Sequence, residues 1–214
     1  MNRSAIRILI SILLFCLVMA LVERVIQPGY AVKSIIKLTL CLVMTGTLCG
    51  FRGILGREGL GTGLALGGLI YAVILAAFLL FRRFIDLDSI AAGMLDKEGI
   101  SRENFLWVAL YISVVNSLME ELIFRWIAFI QLRCYLPENW AMVFSALTFA
   151  GYHVAILTGW FNWFVYGLCL LGLFLGGVIF NLLDRKGSVL PSWLAHASAN
   201  LAINTIGLIM YGLI

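Results

Sequence analysis

Long apolar runs alternate with short charged breaks along most of the chain. A helix that crosses a bilayer needs about 20 mostly apolar residues. Runs of that kind fall at roughly 5–22, 35–51, 62–81, 104–126, 140–157, 162–182 and 192–213. The second is the least regular, because Lys37 shortens its uncharged part. From Asn139 to Leu183 no residue is charged. As one helix that stretch would be about 65–70 Å long, about twice the thickness of the hydrocarbon core. It must therefore fold back, and Thr158-Gly159 followed by Asn162 supplies the turn signal. The pattern predicts an all-α fold, a polytopic transmembrane helical bundle of about seven spans.

Two stretches interrupt this regularity. Segment 82–103 interleaves Arg82, Arg83, Asp86, Asp88, Asp96, Lys97, Glu98, Arg102 and Glu103 with Phe84, Ile85, Leu87, Ile90, Met94 and Leu95. It reads as an exposed loop carrying an amphipathic helix at the membrane surface. The N-terminus has the charge layout of a signal peptide, Arg3 and Arg7 before an uncharged run. No small-residue cleavage site follows before Glu23, so a retained first transmembrane helix is expected. These features divide one integral membrane domain into N-terminal helices with a polar loop, 1–103, and a core, 104–214. Gly63 with Gly67 and Gly172 with Gly176 are each spaced by four. That spacing lets transmembrane helices approach closely. The arginines at the N-terminus, with Arg185 and Lys186, favour a cytoplasmic N-terminus.

Composition sharpens this reading. Of 214 residues, 63% are hydrophobic and 12% charged, against about 25% charged in a soluble domain. Lipid must be the solvent for much of such a surface. The net charge of +4 is scattered, with no basic patch among aromatics, so no nucleic-acid partner is expected. The partners implied are the lipid bilayer and molecules held in it. Cys16, Cys41, Cys49, Cys134 and Cys169 show no metal or redox spacing and are expected to be reduced packing residues.

Ionisable groups deep in a membrane cost about 2.5–3.5 kcal/mol each on insertion and are functional by default. The two histidines, His153 and His196, lie in apolar runs, as do Glu120, Glu121 and Arg125. Glu121 and Arg125 are four apart with the acid first, so they can pair on one helix face. Glu120 lies about 100° round the helix and points elsewhere. Phe149 and His153 share a face, as do His196 and Asn200. Spans four and five form a hairpin through the loop near Arg133–Asn139, which brings Glu120 and His153 to similar depth. His196 and Asn200 enter from the same side.

Peptide hydrolysis suits this set. A carboxylate and an imidazole can polarise water for attack on a carbonyl. A second histidine and an amide can donate to the developing oxyanion, while Glu121, Arg125 and Phe149 support the groups that react. The competing reading is a zinc held by Glu120, His153 and His196 with an open water position. The chain has no His-Glu-x-x-His, and no cofactor is favoured. A proton-coupled transporter also uses intramembrane Glu and His, but it would favour internal repeats, and none is evident.

The ordered motifs Glu120-Glu121-Leu-Ile-Phe-Arg125, Phe149-Ala-Gly-Tyr-His153 and His196-Ala-Ser-Ala-Asn200 resemble those of the CPBP family of intramembrane proteases, which includes the prenyl-CAAX endopeptidases. The resemblance covers about residues 104–205. It implies a four-helix catalytic core in which Glu120 and His153 activate water, His196 and Asn200 form the oxyanion site, and Glu121 and Arg125 support them. It further implies a metal-free glutamate-type mechanism, a membrane-associated peptide or protein substrate, and, for so short a chain, a bacterial cytoplasmic membrane. A non-enzymatic membrane scaffold or bacteriocin-immunity protein of the same fold is the alternative.

Overall fold

A computed structural model describes residues 2–160 and 162–214. The described residues form helices α1 (Arg3–Ile26), α2 (Tyr30–Leu48), α3 (Leu60–Phe84), α5 (Phe105–Cys134), α6 (Glu138–Leu157), α7 (Trp163–Lys186) and α8 (Leu190–Met210), with a shorter α4 (Leu87–Glu98) between α3 and α5. Six of these, α1, α2, α3, α5, α6 and α7, are long and apolar enough to cross a membrane. The last expected span, α8, is long enough at 21 residues. It falls outside that set because His196, Asn200 and Asn204 dilute its apolar character, and all three turn into the bundle rather than outward.

The bundle is apolar on the outside. Leu80, Trp107, Trp140 and Trp163 are each at least 70% exposed, an arrangement that water would not tolerate and lipid does. The chain is a multi-pass integral membrane protein. Burial ranks the helices: α3 and α7 bury only 11% of their most apolar window, whereas α5 buries 44% of its own. Helix α5 is thus the central post, with α3 and α7 at the rim.

Local signals place the ends. Asn2 Oδ1 caps α1 by accepting from Ser4 N at 2.9 Å, and Asp86 Oδ1 caps α4 through Ser89 N at 3.0 Å. Gly99, at φ +66°, closes α4, with its N–H on Leu95 O and that of Ile100 on Met94 O. The expected turn between the fifth and sixth spans is present: Gly159 has φ +83°, and Asn162 Oδ1 accepts from Val165 N. Segment 82–103 does contain the expected helix, α4.

Three expectations need correction. The second span is Tyr30–Leu48 rather than 35–51, because Lys33 and Lys37 lie inside the helix and are neutralised by acids within the bundle. Gly63 and Gly67 do permit close approach: a Cβ there would lie 2.6 Å from Pro191 Cα and from Ser198 Oγ of α8, respectively. Gly172 and Gly176 do not, since nothing lies within 4 Å of either. Gly177 is the residue of α7 that meets α6, at Ala146. Of the five free cysteines only Cys41 is fully buried, and Cys134 is exposed.

Candidate active site

Helix α5 is not uniform. It runs as α-helix through Leu110, widens to a π-helical stretch at Tyr111–Asn116, returns to α-helix for Ser117–Glu121, then widens again from Leu122 to Gln131. Such stretches often mark functional positions in helices. Here they flank the segment that carries Glu120 and Glu121. The two glutamates leave the helix in different directions, as the 100° step per residue requires.

Glu120 faces a cavity of about 400 Å³. Its Oε1 accepts from Lys37 Nζ at 3.1 Å and from Asn116 Nδ2 at 3.0 Å. Its Oε2 stands 3.7 Å from His153 Nε2 and 3.7 Å from His196 Nε2. These are too long for direct hydrogen bonds and short enough for one water to bridge. His153 Nδ1 is 2.8 Å from Phe149 O. A carbonyl only accepts, so the network assigns the proton to Nδ1 and leaves Nε2 as an acceptor. Phe149 also meets the His153 ring edge to face, with centroids 4.7 Å apart.

Glu121 points away from the cavity into packed protein. Its Oε1 lies 2.7 Å from His196 Nδ1. Its Oε2 forms an ion pair with Arg125 Nε at 3.1 Å. The guanidinium of Arg125 is fully buried between the rings of Phe149, 4.1 Å away, and Phe180, 5.1 Å away. Stacking of this kind favours a planar, weakly hydrated cation. A chain of contacts, Arg125 to Glu121 to His196, therefore runs from the core to the cavity wall. Asn200, one turn after His196, also lines the cavity and donates from Nδ2 to Ile112 O at 3.2 Å. One amide N–H of Asn200 remains beyond that bond.

The structure thus brings together Glu120, His153 and His196 in direct proximity, with Asn200 on the same cavity and Phe149, Glu121 and Arg125 behind it. It also adds two residues that sequence reasoning passed over, Lys37 and Asn116. Lys37 is an ionisable residue inside an apolar helix, a functional signal by default. In the sequence alone it stands out only as a break in the second span. Asn116, four residues before Glu120, was a same-face polar pair open to reading.

The other walls are largely apolar, including Met19, Ile112, Ile156 and Ile203, while the charged residues Glu23, Lys33 and Glu98 gather at its mouth beside Ile90 and Met94 of α4 and Trp160. Lys33 ties this mouth together, reaching Glu23 at 2.7 Å and Glu98 at 2.9 Å. Among the described residues no three His, Cys, Asp or Glu side chains are arranged to hold a metal ion. The ammonium of Lys37 beside Glu120 further opposes a dication there.

The family model described as type II CAAX prenyl endopeptidase Rce1-like matches residues 102–202. Over this segment, just under half of its length, the chain is similar to the CAAX-protease family. The matched CAAX-protease segment contains Glu120, Glu121, Arg125, Phe149, His153, His196 and Asn200, and excludes Lys37. No curated protein and no solved structure matches the chain.

Proposed function

We propose that this protein is an intramembrane endopeptidase that hydrolyses a peptide bond in a membrane-associated protein or peptide. The observation that carries the reading is the pairing of two acceptors, Glu120 Oε2 and His153 Nε2, 3.7 Å apart on the wall of an apolar cavity. A water between them donates one proton to each and turns its lone pair outward. As its oxygen attacks the substrate carbonyl, its proton passes to Glu120. The C–N bond then breaks, and Glu120 returns the proton to the leaving amine.

His196 and Asn200 receive the oxyanion. For His196 to donate from Nε2 while Nδ1 meets Glu121, the ring carries both protons. Glu121, 2.7 Å from Nδ1, holds that imidazolium by a charge-assisted bond. Asn200 offers its second amide N–H. Donors fixed in a dry site need no reorganisation when charge develops. No metal takes part in this scheme. The apolar walls suit an apolar or prenylated C-terminal segment, in keeping with the similarity of residues 102–202 to prenyl endopeptidases.

The test is cleavage of prenylated CAAX-type peptides and unmodified membrane-anchored peptides by purified protein, wild type against Glu120→Gln, with and without a strong chelator. The expected result is wild-type cleavage that survives chelation and disappears in the variant. Loss to chelator with recovery on zinc addition would overturn the metal-free scheme. No cleavage by wild type across both substrate classes would overturn the enzymatic reading in favour of a membrane scaffold.

A further inference from the structure

We infer that Lys37 of α2 is a positioning residue of the catalytic carboxylate, locking Glu120 so that only Oε2 faces the water site. The inference rests on the proposed role of Glu120. An ammonium has three N–H donors, and the surroundings of Lys37 engage each direction. Nζ donates to Asn116 Oδ1 at 2.7 Å and to Glu120 Oε1 at 3.1 Å, and it lies over the Tyr152 ring, 4.9 Å from its centroid. Asn116 closes the triangle, with Nδ2 on the same Glu120 Oε1 at 3.0 Å. One carboxylate oxygen therefore takes two donors, while the other is left to the two imidazoles.

Three elements cooperate in this. Lys37 comes from α2, Asn116 and Glu120 from α5, and Tyr152 from α6. A freely turning carboxylate would present either oxygen and spend part of its time misaligned. Pinning Oε1 removes that freedom before substrate arrives, which is how a fixed neighbour raises the rate without touching the substrate. The positive charge also balances a carboxylate buried beside apolar walls, where an unpaired charge would be strongly unfavourable. Lys33, one turn earlier on the same face of α2, binds Glu23 and Glu98 at the cavity mouth. Helix α2 thus carries one cation for the mouth and one for the reacting group. The N-terminal half of the chain, outside the matched family segment, completes the site.

The test uses the full-length protein in detergent or vesicles and measures kcat, KM and thermal stability for wild type, Lys37→Met, Lys37→Arg, Lys37→Gln, Glu120→Gln and the Lys37→Met/Glu120→Gln double variant. Lys37→Met is expected to lower kcat about 10–100-fold, the range for loss of a supporting partner, with KM changed less than about threefold. Lys37→Arg is expected to recover most of the loss, since it keeps the charge. A Lys37→Met enzyme with kcat within about threefold of wild type would overturn the inference. If Lys37→Met does not fold, Lys37→Arg must still exceed Lys37→Gln about tenfold in kcat, and equality overturns it. If wild type cleaves nothing, the proposed function has failed, and the contact is judged by melting temperature. The double variant should then melt above Lys37→Met, because removing both members of a buried pair is milder than removing one. Simple additivity would exclude the contact.

Discussion

Glu120 and Glu121 are the same residue type, adjacent on one helix and both buried, yet they stand in different worlds. Glu120 lines the cavity, with Oε2 turned to two imidazole nitrogens at 3.7 Å. Glu121 has both oxygens committed, one to His196 Nδ1 and one to Arg125. One step of 100° around α5 separates a carboxylate that faces the cavity from one enclosed between a histidine and an arginine. A carboxylate oxygen open to a cavity can exchange protons with what enters it, whereas one enclosed by protein can only orient and stabilise its neighbours. Burial alone does not distinguish the two. The cavity that Glu120 lines and Glu121 does not is what separates them.

The largest test of that contrast is Glu120→Gln. Turnover is expected to fall about 10²–10⁴-fold, the usual worth of a general base, while the protein stays folded because the Gln carbonyl still accepts from Lys37. Turnover near wild type, measured on the same substrate, would remove Glu120 from the reaction. Arg125→Ala comes next and should act on folding. It leaves Glu121 with His196 as its one remaining partner, a broken buried pair that costs about 3–5 kcal/mol, and it empties the space between Phe149 and Phe180. A thermal or denaturant melt reads this directly, and an unchanged melt would erase the distinction between the two glutamates. Asn200→Ala is slightly smaller. Loss of one oxyanion donor should lower kcat about 10²–10³-fold with little change in stability, and an unchanged kcat would leave Asn200 as a tie between α8 and Ile112 alone.

Much of this arrangement was legible in the sequence, and the missing parts have a common cause. Helix boundaries near Thr158-Gly159 and Asn162 follow from local chemistry, and helical spacing correctly sends Glu121 toward Arg125. The pairing Glu121–His196 joins residues 75 apart in sequence, and Lys37–Glu120 joins residues 83 apart. Periodicity reports which residues share a face, and it is silent on what that face meets. For the same reason Lys33 and Lys37 looked like the edge of a span. Their acidic partners, Glu23, Glu98 and Glu120, lie on other helices.

The glycine pairs repeat the lesson at a smaller scale and supply the gentlest test. Gly63/Gly67 and Gly172/Gly176 carry the same spacing signal, but only the first pair meets a partner. At Gly63 an added methyl would sit 2.6 Å from Pro191 Cα and 2.7 Å from Pro191 O, backbone that cannot swing aside. Gly63→Ala should therefore push α3 from α8, and overpacking of this kind costs about 1–3 kcal/mol. Because α8 carries His196 and Asn200, some activity should be lost with it. At Gly176 the methyl would point into open space, so Gly176→Ala should stay within about 0.5 kcal/mol of wild type, as surface changes do. Paired melts of the two variants decide the matter: equal shifts would mean that the spacing, rather than the face it occupies, sets the cost.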